Sequence, residues 1–230
     1  MTDLKTSPKE QLLEAALMHV PFDGWSQATF DAAIDDSGVE RTVAVSVCPR
    51  GAVDLAIAYH MQGNAEMVVR MGAADLGAMK YSERVAAAVR FRLEAVEDKE
   101  VVRRGTALFA LPTYAGDGAK AIWGTADAIW NTLGDTSEDV NWYTKRAMLS
   151  GVYSATVLFW LGDTSEGHAD TWAFLDRRIE NVMQIEKLKA QVKDSPVLSK
   201  LMAGPNWLLS HVKAPQRMPQ AGLPGRWTRP

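Results

Sequence analysis

Asp139-Val-Asn-Trp-Tyr-Thr-Lys-Arg-Ala-Met-Leu-Ser-Gly-Val-Tyr-Ser-Ala-Thr-Val-Leu-Phe-Trp-Leu161 is the stretch on which the fold turns. Its apolar residues recur at spacings of three and four, which predicts a helix from about 139 to 161. Val140, Tyr143, Ala147, Met148, Gly151, Ala155 and Leu158 share one face; Trp142, Arg146, Leu149, Tyr153, Thr156 and Trp160 share another. A helix apolar on two faces is either deeply buried or sandwiched between its own core and a partner. Trp142, Tyr143, Lys145 and Arg146 cluster near its start, the mixture of aromatic and Arg that interface hot spots favour. Ile129, Trp130 and Leu133 end the preceding helix and face the cluster across a short loop. These seven residues form a candidate partner surface; the competing reading is that the aromatic side chains are core.

The same periodicity extends in both directions and predicts an all-α protein, with Gly and Pro between the periodic segments. A first helix starts at Ser7-Pro8, a cap with Pro at the first helical position, and stops before Pro21. Gly24-Trp25-Ser26 caps a second, carrying Phe30, Ala33 and Ile34 to Ser37-Gly38. Arg41-Thr-Val-Ala-Val-Ser-Val47 is rich in β-formers, but a lone seven-residue strand would have no partner, so a short helix is expected. A long helix from about 51 to 80 follows, then helices over roughly 82–97, 99–110, 117–133, 138–161 and 166–192. Gly134-Asp-Thr-Ser-Glu138 recurs as Gly162-Asp-Thr-Ser-Glu166, and each copy supplies a Gly to end one helix and caps for the next.

Residues 1–50 read as a helix-turn-helix-like head and 51–193 as the body. From 194 to 212, after Asp194-Ser195-Pro196, an amphipathic helix is expected, kinked at Pro205. Leu198, Leu201, Met202, Leu208 and Leu209 lie on its apolar stripe, with Trp207 beside the kink. The tail from 213 to 230 holds Lys213, Arg217, Arg226 and Arg229 and no acid. An apolar stripe, an interfacial Trp and a basic tail suit a helix lying on a membrane surface.

The whole chain has 230 residues, a net charge of −3 and 47% hydrophobic residues, a composition that excludes general disorder. A single Cys48 excludes an intrachain disulfide and a cysteine zinc site, and beside Pro49 with no neighbouring His it reads as a small buried filler. No apolar run approaches the ~20 residues of a membrane span. The N-terminus shows neither a secretory core nor an Arg-rich presequence, so the expected location is the cytoplasm. Catalytic motifs are missing: Gly72 to Gly77 has the first half of a phosphate-loop spacing but Ala-Met follows, and His19, His60, His168 and His211 lack helical ligand partners. No cofactor, metal or catalytic residue is therefore expected.

The opening helices resemble the head of TetR-type repressors, through Ala15-Ala16-Leu17, Gly24-Trp25, Ala28 to Ile34 and Ser37-Gly38-Val39. In such proteins the third helix enters the major groove. Here residues 1–60 carry nine acids and four bases, net −5, and the third element offers only Arg41 beside Glu40. A head this acidic repels phosphates, so no nucleic-acid partner is expected and a ligand-responsive transcription regulator is the rival reading.

The block Asp139 to Tyr153 resembles the N-W-Y-T-[KR]-R-A-x-L-x-x-[IV]-Y segment of the Coq-nine family of ubiquinone biosynthesis proteins. Asp170-Thr-Trp-Ala-Phe-Leu-Asp-Arg-Arg-Ile179 is similar to that family's D-T-W-x-F-L-x-x-R segment, and Ala110-Leu-Pro112, Ala126 to Trp130, Val20-Pro21 and Gly24-Trp25 also fit. The resemblance covers roughly residues 8 to 195. It implies a TetR-like fold, a homodimer and a non-catalytic role: binding an isoprenoid quinone or phospholipid and supporting the hydroxylase that acts on demethoxyubiquinone. The family's aromatic-basic patch, matched here by Trp142 to Arg146, is associated with hydroxylase docking. The expectation is therefore a homodimer peripherally attached to the inner face of the cytoplasmic membrane, its dimer contact made largely by the helices around 139–161 and 166–192.

Overall fold

In a computed structural model, which describes residues 6–194 and 214–215, every regular element is helical. The order is α1 (Pro8–Asp23), α2 (Gln27–Ser37), α3 (Arg41–Val47), α4 (Ala52–Ala73), α5 (Tyr81–Glu94), α6 (Lys99–Phe109), α7 (Ala115–Thr132), α8 (Val140–Gly162), a single 3-10 turn (Glu166–His168) and α9 (Ala169–Asp194). The expected amphipathic helix and basic tail lie outside the described residues, apart from the last two residues of the described set.

Local chemistry explains most boundaries. Ser7 closes a capping box on α1: its Oγ accepts from the Glu10 amide and the Glu10 carboxylate accepts from the Ser7 amide at 2.7 Å. The helix then runs through Pro21 rather than stopping before it. Pro21 lies in the last turn, where only one backbone bond is forfeited, and the Gly24 amide recovers the Val20 carbonyl at 2.9 Å. Gly38, left-handed at φ 68°, closes α2. The β-rich segment Arg41–Val47 is helical, with Ala44 fully buried against its neighbours. α4 ends at Ala73, short of the expected 80, because Asp75 accepts from the Gly77 amide at 3.2 Å and diverts the chain. Arg84 then donates to the Met79 and Gly77 carbonyls at 3.0 Å.

Two apolar clusters organise the molecule. One joins α1, α2, α3 and the start of α4 through Leu12, Val20, Phe30, Ile34 and Leu55, with Val101 of α6. The other joins the rest through Met67, Val89, Leu93, Ile129, Leu149, Tyr153, Trp160, Leu175 and Ile179. Each large side chain taken fully out of water contributes about 1.5–3 kcal/mol. α4 belongs to both clusters, Leu55 in the first and Met67 in the second.

α6 also touches both, and its cations hold the ends of other helices. Lys99 donates to the Trp160 and Asp163 carbonyls at 2.8 and 2.9 Å, Arg103 to the Leu161 carbonyl at 2.8 Å, and Arg104 to the Pro21 carbonyl at 3.0 Å. The last carbonyls of α8 and α1 thus find donors on one helix.

Of the two faces expected on α8, one is core except for half-buried Trp142: Arg146, Leu149, Tyr153, Thr156 and Trp160 are all buried, with Val152 beside them. The other is open, with Ala147, Gly151 and Leu158 exposed and Phe159, beside Leu158, stacked on Phe174 of α9 at 4.5 Å.

Candidate functional site

The body holds a half-open cavity of about 430 Å³ between α4, α5, α6, α7 and α8, a size typical of small-ligand sites. Val101, Val102 and Phe109 come from α6, Ala119 and Ile122 from α7, Tyr153, Val157 and Leu158 from α8, Ala56 from α4 and Leu93 from α5. Most of these side chains point inward, while Ala119 and Leu158 sit at its exposed mouth. Gly105 and Ala121 present little side chain to fill it, and Gly118 lets Phe109 pack close, since a Cβ there would stand 2.7 Å from the Phe109 Cβ.

One end of this cavity is polar. His60 and Arg92 line it, and behind them Asn64 and Thr125 complete a network. Arg92 Nε donates to Asn64 Oδ1 at 2.9 Å, Nη2 to the His60 carbonyl at 3.3 Å, and Thr125 Oγ1 to the same Asn64 oxygen at 2.9 Å. His60 Nε2 lies 2.8 Å from Thr125 Oγ1 and 3.0 Å from the Ala121 carbonyl. With the Thr125 proton given to Asn64, Nε2 is assigned as the donor to both. Burial, reinforced by the Arg92 charge, pushes the imidazole down to about 4, so it is neutral near pH 7.

Sequence reasoning missed this network. A signal was present: Val85, Ala88, Val89 and Arg92 fall at i, i+3, i+4 and i+7, so a cation occupies an apolar-stripe position of α5. Its partners, 28 and 32 residues away in sequence, could not be inferred.

The second candidate site is the aromatic cluster where α7 meets α8. Trp142 and Tyr143 pack edge-to-face at 4.8 Å, and Trp123, not anticipated from sequence, lies 5.9 Å from Trp142 and 6.5 Å from Tyr143. All three are half-buried, with their remaining surface in water. Arg146 stacks on the Trp142 ring at 4.0 Å from within.

The surface is narrower than the seven residues expected. Arg146 is 0% exposed and bonds Asp127 at 2.6 Å and Asp135 at 3.0 Å, so its charge is spent inside the protein. Ile129 and Trp130 are core because α7 turns that stripe onto α5 and α8. Trp142, Tyr143, Leu133 and Lys145 keep partial exposure, and Lys145 holds Asp135 at 2.8 Å. Burial alone would raise Asp135, but its bonds from Lys145, Ser137 and Arg146 outweigh it and pull the carboxyl down to about 2.

The first Gly-Asp-Thr-Ser-Glu copy consequently does not cap as expected: Asp135 turns inward to these cations, and Asp139 caps α8 by accepting from the Asn141 amide at 2.9 Å. In the second copy Asp163 does accept from the Ser165 and Thr171 amides, at 2.8 and 3.0 Å. The membrane residues expected from sequence, Leu198, Leu201, Met202, Trp207, Leu208 and Leu209, lie outside the described residues.

No single helix among the described residues is long and apolar enough to cross a membrane; the bent pair Arg41–Val47 and Ala52–Ala73 reaches that composition only jointly, across a 61° bend.

Comparison with known proteins adds three findings. Residues 115–186, which hold α7, α8 and the start of α9, match the COQ9 family model. The chain is 31% identical over 190 residues to ubiquinone biosynthesis protein COQ9, mitochondrial, of Drosophila melanogaster, a match covering 80% of this chain and 58% of that protein. The corresponding protein of Homo sapiens is 28% identical over 196 residues, covering 81% of this chain and 61% of its own length. The chain thus spans about three fifths of these curated relatives. Among solved structures, a TetR transcriptional regulator from Nitrosomonas europaea superposes with a TM-score of 0.61 at 16% identity, over 75% of this chain and 95% of that one. The fold is therefore TetR-like. The aromatic cluster falls inside the matched segment; His60, Asn64 and Arg92 fall outside it.

Proposed function

From the match to the COQ9 family model and its curated relatives, we propose that the chain is a member of that family and serves ubiquinone biosynthesis as a non-catalytic lipid-binding protein. In this reading it takes an isoprenoid quinone intermediate or a phospholipid into the cavity and presents its cargo to a demethoxyubiquinone-type hydroxylase at the membrane surface. The observation that carries the reading is the cavity itself, about 430 Å³ and apolar except at one end. Apolar walls gain affinity for an isoprenoid chain by removing it from water, and that task needs no nucleophile or metal.

The exposed rim of the aromatic cluster, Trp123, Trp142 and Tyr143, supplies the hydroxylase contact. Rigid aromatic rings with part of their surface in water suit such a contact. The open face of α8, with Ala147, Gly151 and Leu158, supplies the homodimer contact together with α9. Membrane attachment rests on the sequence pattern of residues 195–230.

The rival reading, a ligand-responsive transcription regulator, meets a specific obstacle in α3. Its only cation, Arg41, is paired with Asp31 at 2.9 Å, and Thr42, Val43, Val45 and Ser46 make up much of its exposed surface. Such a surface offers little to a phosphate backbone.

Native mass spectrometry of the purified chain, with lipid extraction of the same sample, tests the proposal. A dimer retaining an isoprenoid quinone or phospholipid is expected. A ligand-free monomer, or selection of a specific operator from a genomic fragment pool at physiological salt, would overturn it.

A further inference from the structure

Arg92 is 3% exposed, yet no carboxylate of the described residues lies within ion-pair distance of it. Elsewhere in the chain arginines find acids readily: Arg50, Arg70, Arg90, Arg103 and Arg104 all pair even at the surface. The two acceptors Arg92 does have, Asn64 Oδ1 and the His60 carbonyl, are neutral. A buried cation left uncompensated is costly unless something else supplies the negative charge.

The surroundings are shaped for this guanidinium. A Cβ added at Gly63 would stand 2.5 Å from Arg92 Cζ, so only glycine lets the group lie flat against α4. Among the residues lining the apolar cavity, Arg92 alone carries a charge at neutral pH. On its other side Arg92 borders a cleft that also holds Glu94, Glu97, Asp98 and the Arg70–Glu66 pair, a net-negative setting that disfavours anions. The apolar cavity is therefore the side from which an anion meets Arg92 without facing other carboxylates.

We infer that Arg92 anchors an anionic oxygen, and that the ligand of this cavity is an acidic amphiphile: a carboxylate or phosphate head on an apolar chain. The apolar walls take the chain and Arg92 takes the head, by charge-assisted hydrogen bonds. This inference rests on the cavity being a lipid site, as proposed above.

Three probes with one chain and different heads provide the test: dodecanoate, dodecyl phosphate and dodecanol, each titrated into the delipidated full-length chain. At least one acid should bind about tenfold more tightly than the alcohol. The ratio between the two acids tells a carboxylate head from a phosphate head. Arg92→Gln should bind all three as weakly as the wild type binds the alcohol. Gly63→Ala, which displaces the guanidinium from a position that is not itself in the lining of the apolar cavity, should lower the acid preference while leaving dodecanol nearly unchanged. Melting curves of both variants ensure that folded protein is compared. Equal affinities for acid and alcohol in the wild type, or a preference that survives both substitutions, would overturn the inference and leave the lipid site standing. Failure of all three probes to bind, with no lipid retained on purification, would remove the lipid site and the inference with it.

Discussion

Arg146 in α8 and Arg92 in α5 are both nearly out of water, 0% and 3% exposed, but their company differs. Arg146 meets two carboxylates, Asp127 at 2.6 Å and Asp135 at 3.0 Å, and closes a cluster that Lys145 and Ser137 complete around Asp135. Arg92 meets neutral oxygens only and borders a cavity. A buried charge with its counter-charges in place is a fastener of the fold. A buried charge without them is held in place by the rest of the fold, and its favourable partner comes from outside. Exposure does not separate these two roles; the inventory of neighbours does.

Breaking the fastened cluster should have the largest effect. Arg146→Met leaves Asp135 buried beside too little positive charge and should cost about 3–5 kcal/mol in urea unfolding. A loss below about 1 kcal/mol would place Arg146 in the same class as Arg92.

Acid should next separate the two clusters by pH. His60 is depressed from 6.5 to about 4, so the folded chain binds fewer protons than the unfolded chain between those values. Its contribution is complete above pH 6.5 and disappears as pH falls toward 4, roughly 3 kcal/mol in all. Asp135, depressed from 3.8 to about 2, retains its contribution until the pH falls below 3.8 and loses it on the way to 2. Unfolding free energy measured at several pH values should therefore fall in two stages, and His60→Gln should abolish only the upper one. An unchanged upper stage in that variant would detach the titration from the Arg92 network.

Trp142→Ala removes the ring over Arg146 while leaving both of the arginine's carboxylates. On the proposed docking role, affinity for the hydroxylase should fall by about 2 kcal/mol, read by calorimetry, with the native mass of the assembly unchanged. A stability loss of similar size with partner affinity intact would show that the ring belongs to the fastener. The smallest effect is expected of Arg92→Met in the ligand-free chain. Since no ion pair is lost, unfolding free energy should change by less than about 1 kcal/mol in either direction.

Periodicity carried far in this sequence where each helix could be read alone. The two faces of the 139–161 stretch separate in space as their spacing requires, and Ser7-Pro8 and Ser37-Gly38 mark real helix ends. Boundaries failed where a single side chain redirected the chain, as Asp75 does after α4, or where a breaker sat in a terminal turn, as Pro21 does. Arg146 was misplaced on the surface for a related reason. Its position on α8 was readable, but Asp127 and Asp135 approach from α7 and the loop, and only tertiary structure brings them there. The network of His60, Asn64, Arg92 and Thr125 was the least legible, since its four residues come from three helices and only Arg92, a cation on an apolar stripe, stands out in sequence.

The cations of α6 give the cavity a mechanical reach. Lys99, Arg103 and Arg104 tie this helix to the last turns of α8 and α1, while Val101, Val102 and Phe109 of the same helix form cavity wall. A bulky occupant pressing on that wall would strain the same donors that secure those two helix ends. Amide exchange near Val20 and Leu161 would then report filling of the cavity from outside it, and α6 would act as a lever with its fulcrum in the protein interior.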